Sequence, residues 1–235
     1  PGVQHMRHTH LPEHKFVKGQ PETGVELAED LERIAMNFGG ENIAACIVEP
    51  IAGSTGTLVP PKGYLKRLRE ICDKHGILLI FDEVITGWGR TGSAFAAQEW
   101  NVTPDIMTMA KATTNGVVPM GVVAVKEEIY DSVLDGSKAP EGTPELFHGY
   151  TYSGIPVAVA AALAVQDIFD KEDIFKRAKE MSPYFQDGLH SLKDLKEVVS
   201  IRGYGMMGGI EMKMREKPGK SGFQTFKHCY DAGVN

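Results

Sequence analysis

The chain has 235 residues, 42% of them hydrophobic and 24% charged, which is enough apolar material for one substantial core, or one core with a satellite. There are 25 basic residues against 31 acidic ones, a formal charge of −6 with no long run of either sign, so neither nucleic acid nor an anionic membrane surface is an expected partner. No apolar stretch is long enough to span a bilayer, the first ten residues lack the apolar core of a signal peptide, and three scattered cysteines, Cys46, Cys72 and Cys229, suit a reducing cytoplasmic setting.

Residues 1–25 are polar and without periodicity, which predicts an irregular lead-in. His5, His8, His10 and His14 stand there without cysteine or carboxylate partners at metal-ligand spacings, so a surface loop is expected and a metal site is not. The opening at Pro1 and the close at Gly233-Val234-Asn235 read as cuts, predicting an interior fragment of a longer polypeptide.

From 25 to 38 the apolar positions Leu27, Leu31, Ile34 and Ala35 recur at helical spacing, and Gly39-Gly40 supplies the stop. Ile43–Val48 is a nearly unbroken apolar run ending at Glu49-Pro50, as expected of a strand covered on both faces. A second amphipathic helix is predicted over 62–75 with Gly76 as its cap. Ile77–Phe81 then gives another apolar run, ending at Asp82-Glu83. A Gly-rich turn and a helix over 93–100 lead to a third run, Asp105–Ala110, ending at Lys111.

Strand, helix, strand, helix, strand predicts an α/β fold with a parallel sheet and right-handed crossovers. Only nine residues separate the third run from a fourth, Gly121–Val125. That gap is too short for a helical crossover, so the fourth strand is expected to run antiparallel. A Gly- and Pro-rich stretch, 136–144, precedes a long helix over 156–170, and a second domain is expected from residue 168.

Three of these runs end in an ionisable side chain: Glu49, Asp82 and Lys111. Parallel strands share one carboxyl edge, the edge where α/β proteins bind ligands. From the residues alone, a structural ion pair or solvated strand ends explain the three equally well. Gly203-Tyr204-Gly205-Met206-Met207-Gly208 matches the spacing of a dinucleotide fingerprint, but strand-like sequence follows it where a helix is required, so NAD binding is not expected. The loop GSTGT lacks the Gly-Lys-Ser/Thr ending of a phosphate-binding P-loop.

The stretches IVEPIAGSTG, LIFDEVITGWGRTG, MAKATTNG and HGYTYSGIP resemble, in order and spacing, the signature blocks of class III aminotransferases, a branch of the fold-type I pyridoxal 5′-phosphate enzymes. Within that class, PGVQHMRHTH and LVPPKGYLKRLREICDKHGILLIFDEVITG are most similar to ω-amino acid:pyruvate aminotransferases. The resemblance covers nearly the whole chain. It implies a fold-type I PLP-dependent transferase, with residues 1–167 forming the second half of the large mixed-sheet domain and 168–235 the start of a small α+β domain.

The resemblance also implies the cofactor, pyridoxal 5′-phosphate. Its ring stores the electrons of a carbanion only while the ring nitrogen stays protonated, and a buried carboxylate holds that proton. Asp82 is the implied carboxylate, and Lys111 the Schiff-base lysine that also moves the proton. Val84 is implied on one ring face, and Thr151, reaching over from a neighbouring subunit, on the phosphate. Glu49 is taken as a supporting hydrogen-bond group or a substrate contact, and Arg90 as a structural loop contact.

An ω-amino acid such as β-alanine would donate the amino group, and pyruvate, an oxo-acid, would accept it, in a homodimer or higher homo-oligomer. A 4-aminobutyrate or taurine type of class III aminotransferase, a fold-type I aminomutase and a non-catalytic truncated relic are the alternatives. Ile155 stands where relatives commonly carry histidine. The resemblance puts the phosphate loop, the ring-stacking aromatic and the substrate-gripping arginine outside these 235 residues, which leaves the activity of the isolated fragment open.

Overall fold

A computed structural model describes residues 2–136 and 148–234. The Gly- and Pro-rich stretch expected at 136–144 lies outside them apart from Gly136.

After the irregular lead-in, a 3-10 turn at Val25–Ala28 runs into α1 (Glu29–Phe38). Leu27, Leu31, Ile34 and Ala35 face inward, as their spacing predicts, and Ala28 is buried with them. Strand β1 (Ala45–Val48) is followed by α2 (Tyr64–His75), whose buried stripe is Tyr64, Leu65, Leu68, Ile71 and Cys72. Gly76 ends α2 at φ +67°, a left-handed cap that a residue without Cβ adopts cheaply. Strand β2 (Leu78–Asp82) comes next.

The crossover from β2 to β3 (Ile106–Met109) differs from the expectation. Its helix, α3, is a single turn, Ala96–Glu99, and the rest is loop. Phe95 at φ −138° is still extended where the predicted helix would already have begun, so side-chain and backbone contacts fix this connection in place of helical hydrogen bonds.

Strand β4 (Val122–Val125) completes a four-stranded sheet in the order β1-β2-β3-β4. Strands β1, β2 and β3 are parallel, and β4 is antiparallel to β3, as the short connection requires. The register pairs Cys46 with Leu79 and Val48 with Phe81, and these side chains share the face covered by α1 and α2. The opposite face carries Ile47, Ile80, Asp82, Ile106, Thr108, Val123 and Val125, with Asp82 opposite Thr108 at its carboxyl end.

Helix α4 (Glu127–Gly136) follows the sheet, then α5 (Pro156–Lys171) and α6 (Ile174–His190). Residue 168, where a second domain was expected to start, lies within α5. A hairpin of β5 (Val198–Tyr204) and β6 (Met207–Met212) and a last helix, α7 (Lys220–Asp231), complete the described chain. The glycine-rich 203–208 motif is therefore the turn of an antiparallel hairpin. A Cβ on Gly205 would sit 2.3 Å from the Arg90 carbonyl oxygen, so this turn needs glycine for close approach.

Asp105, buried just before β3, joins three elements. Its carboxylate accepts from the Leu79 backbone N–H at 2.7 Å and pairs with Arg69 of α2 and with Lys126 beside β4, each at 2.7 Å. Burial by itself raises its pKa, but the hydrogen bonds from Lys126, Leu79 and Arg69 outweigh burial and hold the carboxyl below its ordinary value. A depressed folded-state pKa contributes stability above the unfolded value of about 3.9, and that stability is lost as pH falls through the folded value. Asp105→Ala is expected to lower the unfolding free energy by about 2 kcal/mol, because the buried Leu79 N–H loses its acceptor and Arg69 and Lys126 keep only their more exposed partners, Asp73 and Glu128. Asp105→Asn should also flatten the acid limb of stability against pH, as measured by urea unfolding from neutral pH downwards.

Candidate active site at the carboxyl edge of the sheet

Glu49, Asp82 and Lys111 lie just beyond or at the carboxyl ends of three adjacent parallel strands, so the topology brings them to one edge of the sheet. Each is held differently. Glu49 is half-buried and accepts the Gly53 N–H at 2.9 Å, which fixes the start of the 50–58 loop. Asp82 is half-buried, and one of its oxygens, Oδ1, accepts both the Val84 N–H at 3.0 Å and the Thr108 hydroxyl at 3.2 Å. Its other oxygen accepts no hydrogen bond among the described residues, so the carboxylate is oriented with one acceptor in hand.

Lys111 opens a 3-10 turn, Lys111–Thr113, at φ +45°, a left-handed conformation that L side chains adopt rarely. Its side chain is exposed, and among the described residues its amine has neither a hydrogen bond nor an ion pair. Val84 is half-buried two residues past Asp82. Thr151 is not drawn into this group: it is exposed in the turn before α5, and its hydroxyl makes no hydrogen bond among the described residues.

The neighbours that hold this edge were missed in the sequence. Glu83 is fully buried, and both of its oxygens accept: Oε2 from the Thr86 hydroxyl and the Ala96 N–H, Oε1 from the Ala97 N–H, each at 2.8 Å. Burial pushes its pKa up, and the three donors partly offset that. It thus anchors α3 from 13 residues upstream and closes the 83–95 loop. Its only sequence signal was a second carboxylate directly after Asp82.

That loop is braced from the other side by the hairpin. The Met206 N–H donates to the Arg90 carbonyl at 2.8 Å, and the Tyr204 hydroxyl donates to Glu99 at 2.6 Å. The Arg90 contact is made by the backbone carbonyl, while its side chain is exposed and, among the described residues, makes no hydrogen bond or ion pair. Burial and the Glu99 bond raise the Tyr204 pKa, so the phenol stays a donor. Arg202 of β5 donates to the Gly56 carbonyl at 2.8 Å and secures the loop after Glu49.

A cavity of ≈ 800 Å³ opens between residues 2–9 and the free edge of β1, lined in part by Met6, Ile34, Ile43, Cys46 and Tyr64. Glu49 reaches it, but Asp82 and Lys111 do not line it, so it is not the crevice the strand ends define. In the histidine-rich lead-in, His14 is buried and takes the Leu11 N–H on Nδ1, and among the described residues no group of three or more His, Cys, Asp or Glu could hold a metal ion. No described helix is long and apolar enough to cross a membrane.

The chain is similar to proteins already known. The model of the family described as aminotransferase class-III matches residues 1–235. An omega-aminotransferase of Caulobacter vibrioides is 54% identical over 235 residues, 99% of this chain and 53% of its own length. A beta-alanine–pyruvate aminotransferase of Pseudomonas aeruginosa is 49% identical over 91% of this chain and 48% of its own. An omega-amino acid–pyruvate aminotransferase of Pseudomonas putida is 46% identical over 96% and 51%. The chain thus spans about half the length of the curated relatives it matches. Among solved structures, an omega transaminase from Pseudomonas jessenii in complex with PMP is similar at a TM-score of 0.85 and 32% identity, covering 93% of this chain and 49% of that one.

Because both Glu83 oxygens accept backbone N–H groups, a carboxamide there must turn its NH2 against a donor. Glu83→Gln is therefore expected to cost about 1–3 kcal/mol in denaturant unfolding, close to the cost of deleting the side chain's hydrogen bonds outright.

Proposed function

The chain belongs to the class III aminotransferases, and on that premise we propose that its polypeptide carries an amino group from an ω-amino acid such as β-alanine to pyruvate, with pyridoxal 5′-phosphate as cofactor. Relatives at 49% and 46% identity, named as beta-alanine–pyruvate and omega-amino acid–pyruvate aminotransferases, support the donor and acceptor classes, and one at 54% is named as an omega-aminotransferase. The observation that carries the reading here is the presence, at one sheet edge, of a carboxylate with one oxygen, and a lysine with an amine, that are uncommitted among the described residues.

The side chains fit the cofactor on that ground. When bound, pyridoxal phosphate supplies a sink for the electrons left when a proton leaves the carbon next to the amino nitrogen. Asp82 would hold the proton on the ring nitrogen with its free oxygen, while Val84 N–H and Thr108 keep the other oxygen still. The Lys111 Nζ would anchor the cofactor covalently and, once displaced by the amino donor, take up and return the transferred proton. Val84 would pack on one ring face, Thr151 would reach a phosphate held mainly by a second copy of the chain, and Glu49 would support the loop beside the site. The reading includes a homodimer or higher homo-oligomer in the cytoplasm, and a division in which residues 1–167 belong to the cofactor-binding domain and 168–235 to the smaller one.

The test is borohydride reduction of the complete, cofactor-loaded polypeptide followed by peptide mass mapping, alongside alanine formation from β-alanine and pyruvate. Label on Lys111 and pyruvate-dependent alanine are expected. Lys111→Ala should abolish both, and repeated turnover in that variant would overturn the assignment. Asp82→Asn should slow proton removal from the donor by about 100-fold, the usual scale for losing one aligned electrostatic partner, as read by the isotope exchange rate of the donor's amino-bearing carbon.

A further inference from the structure

Among the described residues the Lys111 amine has neither a hydrogen bond nor an ion pair, so the direction in which the side chain leaves the main chain is set by the backbone. That backbone is in the left-handed region at φ +45°, and so is the backbone of Trp88 at φ +62°. A lysine and a bulky aromatic hold such conformations only where the surroundings over-determine them. The two are joined by a short relay. The Trp88 indole Nε1–H donates to Thr113 Oγ1 at 3.0 Å, and the Thr113 hydroxyl donates in turn to the Ala110 carbonyl at 3.0 Å. The Thr113 N–H meets the same carbonyl at 3.0 Å, and the Gly116 N–H donates to the Lys111 carbonyl at 3.2 Å.

The peptide groups on both sides of Lys111 are thus pinned, and Thr113 is 3% exposed, so water is not a ready substitute for its partner. The indole is itself fixed, with Phe95 at 4.9 Å on one side and Phe169 of α5 stacked at 5.9 Å and 26°. We propose that Trp88 and Thr113 form a clamp that sets the Lys111 amine in place, acting as positioning residues that touch neither substrate nor cofactor. This deepens the reading of Lys111 as the cofactor-anchoring lysine and rests on it.

The experiment compares the complete polypeptide with Trp88→Phe, Thr113→Val, Thr113→Ser and the Trp88→Phe/Thr113→Val double variant. The rate at which pyridoxal phosphate is captured on Lys111 is read by borohydride trapping and peptide mapping. In cofactor-free protein, amide exchange of the peptide spanning 110–116 gives a second readout. Trp88→Phe keeps the aromatic packing and removes the donor, so capture should slow by about fivefold, the scale of one net hydrogen bond, with exchange in 110–116 correspondingly faster.

Thr113→Val, which removes both the indole's acceptor and the bond to the Ala110 carbonyl, should slow capture at least as much as Trp88→Phe, Thr113→Ser should stay near the parent rate, and the double variant should lose no more than Thr113→Val alone, because the indole acts only through Thr113. If Trp88→Phe does not fold, the contrast between Thr113→Ser and Thr113→Val decides the same point. Label on Lys111 with capture and exchange unchanged in the variants overturns the clamp and leaves the anchoring role standing. Losses that multiply in the double variant also overturn the clamp. Absence of label on Lys111 in the parent overturns the anchoring role and the clamp together.

Discussion

Parallel pairing of β1, β2 and β3 brings Glu49, Asp82 and Lys111 to one edge of the sheet, because parallel strands deliver their carboxyl ends to one side and antiparallel ones would scatter them. Three short strands of four or five residues do this, and short strands slip easily unless something fixes their register. Two constraints fix it. On the inner face Cys46, Leu79 and Phe81 are sealed under Leu31, Leu65 and Leu68, so a one-residue slip would turn apolar side chains to the wrong face. At the amino end, Asp105 bonds β2 through the Leu79 N–H, α2 through Arg69 and the residue just after β4 through Lys126.

At the carboxyl end the design is different. Regular structure stops, and the chain is held by individual polar groups buried in loops. Glu83 closes the 83–97 segment, Asp82 is turned by Val84 N–H and Thr108, and Thr113 collects the indole of Trp88. Positive-φ residues gather here as well: Trp88 and Lys111 each occupy a conformation costing about 1–3 kcal/mol. Packing and hydrogen bonds offset that cost, and the return is a fixed direction for two side chains that regular strand geometry would not aim. The β5–β6 hairpin then braces both loops, through Arg90, Glu99 and Gly56.

Sequence and structure part company where local pattern and long-range contact disagree. The segment 93–100 carries a helical pattern, yet only 96–99 form a turn of helix. Gly92 sits against Lys179 and the Trp88 N–H bonds the Ala94 carbonyl, so tertiary contacts take backbone groups that a longer helix would use. The 203–208 motif went the other way: a glycine spacing known from nucleotide sites is here a hairpin turn, and the strand-like sequence after it was the sign.

The sequence by itself determined the strands and their directions, because apolar runs, helical spacing and connection lengths are local properties that leave one economical topology. The ends of those runs also marked Glu49, Asp82 and Lys111, since a charged residue closing a buried strand stands out in one dimension. The tertiary structure alone decided what holds them. Glu83 bonds residues 13 and 14 positions away, Trp88 meets a threonine 25 positions on, and Arg202 reaches Gly56 across 146 residues. Such contacts have no period and no spacing, and they exist only once the folded chain has brought distant loops within hydrogen-bond distance.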